Sequence, residues 1–320
     1  MLRSVYKRAP RLRAAVRGVK NAAVYRLVQA AFAALSLGSF DRAMARAELV
    51  GELAYRCLRG TRRLALEHLG MVFGDELSPS DRREIVRRSM RDFAKSFCEM
   101  ARMDDVRARF AEYVEITGWA EARESIDRGA IVCTGHLGNW EVIAPYFTEI
   151  EKIRVAAVAR RLDEPRLNQL LVDFRARLGI ETILRDSPSA GRQILKILKD
   201  RGLLAMLIDQ DTKVASITVP FLGHPARTPV APAALAVRRR LPILVAYNYR
   251  RPDGGIRLVM EKPLWPDETL DRDAAVRDLT ARVNELLGQA IRAHPTQWPW
   301  WHRRWRRPPQ PRLDPDATIL

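Results

Sequence analysis

The sequence predicts an α/β protein: a central, mostly parallel mixed sheet flanked by helices, behind a helical N-terminal segment that associates with a membrane. Three observations predict it. Short β-branched or apolar runs of strand length recur from about residue 113 onward. Helix-length stretches separate several of them, the alternation expected when helices cover a parallel sheet. Upstream, the chain to about residue 105 has few breakers and a helical apolar period.

The elements follow in order. Ala22 to Leu37 is the most apolar early stretch, but it carries Arg26 and Gln29. It falls short of the roughly 20 apolar residues a span requires, and no convincing signal-peptide cleavage pattern follows. It reads as an interfacial helix behind a basic arm, with a short or tilted span second; a core helix of a soluble domain fits the pattern equally. Asp41 to Leu69 is expected to be helical. A further helix opens at Ser80 as N-cap, with Glu84 in its first turn and Ile85, Met90, Phe93, Phe97 and Met100 as its buried stripe. YVEIT, GAIVCTG, IRVAAVA, IETIL, LLAMLID, SITVPF, PILVAYNY and IRLVME are the candidate strands. EPRLNQLLVDFRARLG and PSAGRQILKILKDRG are helices between them, and a last helix spans about 273–293. Asp253-Gly254-Gly255 is a turn between two strands, which implies one antiparallel pair. This gives a helical membrane-associating region at 1–105, an α/β core at 106–309 and a poorly ordered Pro-rich tail at 310–320.

The chain has 320 residues, with 55 Lys+Arg against 38 Asp+Glu, a net charge of +17. Such a chain is drawn to polyanions: nucleic acid, anionic lipid or an acidic carrier protein. The excess concentrates before Lys20 (Arg3, Lys7, Arg8, Arg11, Arg13, Arg17) and after Arg292 (Arg303, Arg304, Arg306, Arg307). A basic arm beside an apolar helix suits the cytoplasmic face of an anionic bilayer. Cys57, Cys98 and Cys133 are too few and too scattered for a disulfide framework or a structural zinc site. The nucleophile elbow, the P-loop, the dinucleotide glycine fingerprint and the zincin helix are all missing.

One motif carries chemistry. Ala130 to Thr134 is an apolar strand that runs into Gly135-His136-Leu137-Gly138-Asn139-Trp140-Glu141, with Asn139 as a candidate N-cap. Ligands of open α/β sheets sit at the carboxyl ends of strands, where His136 falls. A carboxylate beside the imidazole would fix its tautomer and favour the protonated form it acquires as a general base. Glu141 meets that need if His136 lies in the loop and Glu141 in the first helical turn. Backbone N–H groups around Gly138, or a nearby arginine, would hold an oxyanion. The bland alternative is a hydrogen-bonded structural histidine, since H-x-x-x-x-E arises easily by chance.

Four further blocks change that balance: ARRLDEPRLNQLL at 159–171, LIDQDTK at 207–213, VPFLGHPARTP at 219–229 and HPTQWPWWHRRWRRPP at 294–309. Together with HLGNWE at 136–141 they resemble, in order and spacing, the bacterial lipid A biosynthesis (lauroyl/myristoyl) acyltransferase family of the lysophospholipid acyltransferase superfamily. Leu222, Glu164 and Lys213 depart from its usual pattern. The resemblance implies transfer of a fatty acyl chain from an acyl carrier protein or CoA thioester to a hydroxyl of a lipid A-type glycolipid. It implies no cofactor beyond the thioester, no metal and no nucleic acid, and a place at the cytoplasmic face of the inner membrane. His136 would be the base, with Glu141 as its partner and Asp209 and Asp211 as rivals for that role. Arg160 would hold a phosphate or the oxyanion, although Arg161 competes for the assignment. Gly138 and Asn139 would contact substrate. Phe221, Gly223 and Thr228 would shape the acceptor or acyl pocket, or else pack as a strand-end turn. Trp298, Trp300, Trp301 and Trp305 fit a membrane–water boundary, an aromatic core or a nucleic-acid platform. The rival readings are a basic nucleic-acid binder, a thioester hydrolase on the same scaffold, and a transferase using another acceptor such as a mannosylated phosphoinositide or an aminolipid.

Overall fold

The computed structural model describes residues 10–126 and 128–306. The expected 310–320 tail and the first residues of the basic arm, Arg3, Lys7 and Arg8, lie outside the described residues. Four long helices come first: α1 (Pro10–Leu35), α2 (Phe40–Cys57), α3 (Arg59–Phe73) and α4 (Pro79–Ala101). The expected helix from Asp41 to Leu69 is interrupted at Leu58, which ends α2 and opens α3. Helix α4 starts two residues earlier than the Ser80 reading. Ser78 is the N-cap, Pro79 is the first helical residue, and Ser78 and Asp81 form a reciprocal capping box. No helix among the described residues is long and apolar enough to cross a membrane.

The sheet has seven strands: β1 (Val114–Thr117), β2 (Ala130–Thr134), β3 (Val155–Ala159), β4 (Ile180–Leu184), β5 (Leu203–Leu207), β8 (Ile243–Arg250) and β9 (Ile256–Met260), in spatial order β1-β9-β8-β2-β5-β3-β4. The β8–β9 hairpin is antiparallel, and its turn holds Gly254 at φ +88°. All other neighbouring pairs are parallel. The central strand β2 is buried along its whole length, the state of a parallel strand covered on both faces. A separate antiparallel hairpin, β6 (Ser216–Phe221) with β7 (His224–Pro229), turns through Leu222 and Gly223, both at positive φ.

Alternating residues divide the core between the two faces. Ile131, Cys133, Leu204, Met206, Ile243 and Val245 belong to one apolar cluster, with α3, α4 and the helices α6 (Ala190–Lys199), α7 (Ala231–Arg239) and α8 (Arg272–Ala293). Ala130, Val132, Leu203, Leu244 and Ala246 belong to the other, with α5 (Pro165–Arg177) and the short helices near residues 103–124 and 140–150. Helix α5 has Pro165 at its start and Glu164 as its N-cap, whose carboxylate accepts from Arg166 N–H and pairs with that guanidinium at 2.5 Å. The Glu164 departure is therefore occupied with capping.

Candidate active site

Strands β2 and β5 are parallel neighbours, with Thr134 opposite Leu207. Continuing that register two residues brings His136 beside Asp209, at the carboxyl edge where the chain doubles back between β2 and β3. The Asp209 carboxylate accepts at Oδ2 from the His136 backbone N–H (2.7 Å), and its Oδ1 lies 2.7 Å from Nδ1 of the ring. Trp298 Nε1–H donates to Oδ2 at 2.8 Å. Asp209 is completely buried, whereas the His136 side chain retains 17% exposure. Burial works to raise the Asp209 carboxyl, but the adjoining His136, then His302 and the His136 N–H, hold it well below the usual carboxylate range. An ionised Asp209 requires a proton on Nδ1, which leaves the Nε2 lone pair free to act as a base. The Gln210 amide nitrogen sits 3.0 Å from that Nε2 and 3.1 Å from Nε2 of His302. Burial first, and His136 second, push His302 down to about 4, so it is neutral at pH 7.

Glu141 is placed otherwise than the H-x-x-x-x-E spacing implied. Its carboxylate pairs with Arg175 on α5, at 2.6 Å and 3.1 Å, and accepts from Trp140 Nε1–H at 3.1 Å. The loop makes this so. Asn139 caps a 3₁₀ turn, Trp140–Val142, and its Oδ1 holds the Glu141 N–H at 3.2 Å. The Glu141 side chain is thereby delivered to α5, and Asp209 is the carboxylate on the ring.

The loop N–H groups proposed for an oxyanion are already engaged. Gly138 N–H donates to Gln297 O at 3.0 Å, and Asn139 N–H donates to Asn248 Oδ1 at 2.8 Å. Gly138 has φ +63°, and a Cβ there would collide with the Asn248 oxygens, so this position requires glycine. Asn139 is buried and donates to Glu99 Oε2 at 2.9 Å. Glu99 is also buried and pairs with Arg250 and the Tyr113 hydroxyl. Gly138 and Asn139 therefore fasten the histidine loop to α4 and β8 and lie outside the cavity wall.

A cavity of about 640 Å³ opens beside His136, within the size range of ligand pockets. Its wall is mostly apolar, from Phe97 and Met100 of α4, Leu167, Leu170, Leu171 and Phe174 of α5, and Val28 and Phe32 of α1. Beside His136, the residues Glu141, Gln210, Thr212 and the arginines Arg160, Arg175, Arg177 and Arg185 supply its polar lining. Arg160 faces the cavity, while Arg161 pairs with Asp186 at 2.9 Å, which separates the two candidates. Phe221, Gly223 and Thr228 do not line it. Gly223 is the hairpin turn, Phe221 lies under the Arg304 guanidinium (4.6 Å) and packs on Trp298, and the buried Thr228 hydroxyl accepts from Arg304 at 2.7 Å and Asn284 at 2.9 Å. Asp211 is half-buried and does not line the cavity, although Gln210 and Thr212 on either side of it do. Trp298 and Trp300 are fully buried and belong to the core, and Trp301 and Trp305 are half-buried against it. The sequence reading passed over Arg175, Gln210 and His302. His302 had a signal, since it stands inside the tryptophan-rich block; Gln210 had none beyond lying in the 207–213 block, and Arg175 lay outside every block.

A family model described as bacterial lipid A biosynthesis acyltransferase matches residues 14–307. A phosphatidylinositol mannoside acyltransferase of Mycobacterium tuberculosis (strain H37Rv) is 27% identical over 185 residues, 55% of this chain and 54% of the relative. The chain thus spans about half the length of that relative. A protein of the same name from Mycolicibacterium smegmatis is 24% identical over 233 residues, 69% of this chain and 72% of the relative. With a single family matched across nearly all of its length, the chain belongs to the bacterial lipid A biosynthesis acyltransferase family.

Proposed function

We propose that the protein is an O-acyltransferase that moves a fatty acyl chain from a thioester, carried by acyl carrier protein or CoA, to a hydroxyl of a membrane glycolipid. The observation that carries this reading is the His136–Asp209 pair opening onto an apolar cavity. The acyl chain lies against the α5 wall, with its thioester carbonyl near the ring. Nε2 takes the acceptor hydroxyl proton as that oxygen bonds to the carbonyl carbon. Asp209 stabilises the imidazolium that forms. The tetrahedral oxyanion collapses, the C–S bond breaks, and the leaving thiolate recovers the proton from Nε2. Gln210 must first give up its place at Nε2 to the acceptor.

A membrane setting is supported by the outer faces of α1 and α2, where Val24, Leu27, Leu49, Val50 and Leu53 are exposed near the helix that roofs the cavity. The net charge of +17 suits an anionic bilayer and an acidic carrier. Lipid A precursors and phosphatidylinositol mannosides are the two acceptor classes to assay side by side, the second because the relatives bear that name. Purified protein is incubated with acyl carrier protein and CoA thioesters and each acceptor, and products are read by mass spectrometry. His136→Ala is expected to lower transfer about 10³-fold, within the ~10²–10⁴ range for a positioned base, with an unchanged melting temperature. Transfer near the wild-type rate in a folded His136→Ala protein would remove the proposal.

A further inference from the structure

Strand β5 is the sheet neighbour of β2, so the segment that follows it runs beside the histidine loop. Asp209 in that segment is fixed to His136 and to Trp298, which pins the start of the next residue, Gln210. The Gln210 side chain lines the cavity at the base. Its amide nitrogen lies 3.0 Å from Nε2 and 3.2 Å from Nδ1 of His136. A donor almost equidistant from both ring nitrogens stands off the axis of the Nε2 lone pair, so that hydrogen bond is bent and weak. The same nitrogen lies 3.1 Å from Nε2 of His302. With the Nδ1 proton of His136 held by Asp209, Nε2 is a bare lone pair, so the NH2 end of the amide faces it and a second N–H remains for His302. His302, neutral at pH 7, can accept that N–H.

The other donors near the base are spent. The backbone N–H groups of His136, Gly138 and Asn139 are bonded within the fold. Trp140 Nε1–H and the Arg175 guanidinium are both bonded to Glu141. Arg160 and Arg185 follow β3 and β4, which lie beyond β5 as seen from β2. Gln210 is the wall residue whose N–H already stands at Nε2.

We infer that Gln210 is the oxyanion donor of the reaction and that His302 is its positioning residue. The inference rests on the acyltransferase reading for the identity of the oxyanion. The acceptor hydroxyl takes the Nε2 lone pair, and Gln210 turns off it while keeping its bond to His302. As the acceptor oxygen bonds to the carbonyl carbon, the C=O electron pair moves onto the carbonyl oxygen and the hydroxyl proton passes to Nε2. Nε2–H is then a donor and repels an amide N–H, whereas the newly charged oxygen accepts it. The attacking oxygen and the oxyanion share one carbon, so a donor turned away from the first reaches the second by a small movement. On collapse the electron pair returns to the carbonyl, the C–S bond breaks, and the thiolate takes the proton from Nε2. Gln210 itself neither gains nor loses a proton.

The experiment compares wild type, Gln210→Leu and His302→Phe. One arm measures kcat and KM for acyl transfer. The other needs no turnover: it titrates a long-chain trifluoromethyl ketone, whose hydrate is tetrahedral at the carbonyl carbon, against the methyl ketone of the same chain. Melting temperature and binding of a fluorescent fatty acid report fold and cavity in each variant. Gln210→Leu is expected to lower kcat about 10²–10³-fold, the loss of one oxyanion donor, with KM for the thioester within about twofold. It should also remove most of the preference for the trifluoromethyl ketone. His302→Phe keeps a ring but offers no acceptor, and should lower kcat about tenfold in the same pattern, as one hydrogen bond is lost. An unchanged or raised kcat in a folded Gln210→Leu protein, or a loss confined to KM with the ketone preference intact, overturns the inference. A wild type that prefers the trifluoromethyl ketone through Gln210 yet transfers no acyl chain leaves the donor standing and overturns the acyltransferase reading instead.

Discussion

Two carboxylates, Asp209 and Glu141, are buried beside the same histidine loop, and they face different partners. Asp209 meets an imidazole, a tryptophan N–H and a backbone N–H. Glu141 meets a guanidinium. An imidazole can gain and lose a proton near neutral pH, so a carboxylate beside it tunes a base. A guanidinium cannot, so a carboxylate beside it anchors a helix. The difference shows that role here follows from the partner delivered by the fold and not from nearness in sequence.

That contrast can be broken by substitution. Asp209→Asn preserves shape and removes the charge that fixes the Nδ1–H tautomer. Transfer should fall by about 10³–10⁴-fold, by analogy with the same change in a serine-protease triad, measured as initial rate at saturating donor. A loss below tenfold would mean that Asp209 is only structural. Glu141→Gln leaves the buried Arg175 without its counter-charge. It should lower stability by about 3–5 kcal/mol, seen in denaturant unfolding. Because Arg175 Nη1 already lacks a hydrogen-bond partner, a Glu141→Leu/Arg175→Met protein should regain most of that stability. If it regains fold but not transfer, Glu141 also has a part in the chemistry, and the contrast with Asp209 weakens.

The smallest effect concerns His302. Its folded value of about 4 lies below the ordinary 6.5, so the unfolded chain binds more protons between those values. The stability from keeping it neutral is complete above pH 6.5 and declines as pH falls toward 4, by on the order of 2–3 kcal/mol. His136, Asp209 and His68 also act on His302. His302→Asn should flatten the loss between pH 6.5 and 4 in pH-dependent unfolding, and an unchanged slope would assign that loss to another group.

Much of this was legible in the sequence. Every strand of the large sheet came from a β-branched or apolar run; the central β2, buried on both faces, is apolar along nearly its whole length, while the edge strands β1 and β4 are only partly buried. The histidine loop was legible because a glycine-bracketed histidine followed such a strand. Asp209 entered only as a rival through the resemblance, since it lies 73 residues away and meets the ring only through the β2–β5 register. Glu141 was nearer in sequence, and the 3₁₀ turn redirected it. β7, HPARTP, escaped notice because two prolines and an arginine mask its alternation, which a two-stranded hairpin tolerates. The tryptophan stripe stayed open between core and boundary because interleaved arginines read as surface. Arg304 is instead buried, with its guanidinium hydrogen-bonded to Arg227 O and Thr228.

The contact between Trp298 and Asp209 has a temporal consequence. The strand that ends at the base is complete before residue 135, yet the indole that steadies its carboxylate belongs to the last block of the fold. During synthesis β2 and Asp209 emerge well before residue 298, so the carboxylate gains its indole donor only after the C-terminal block has been added.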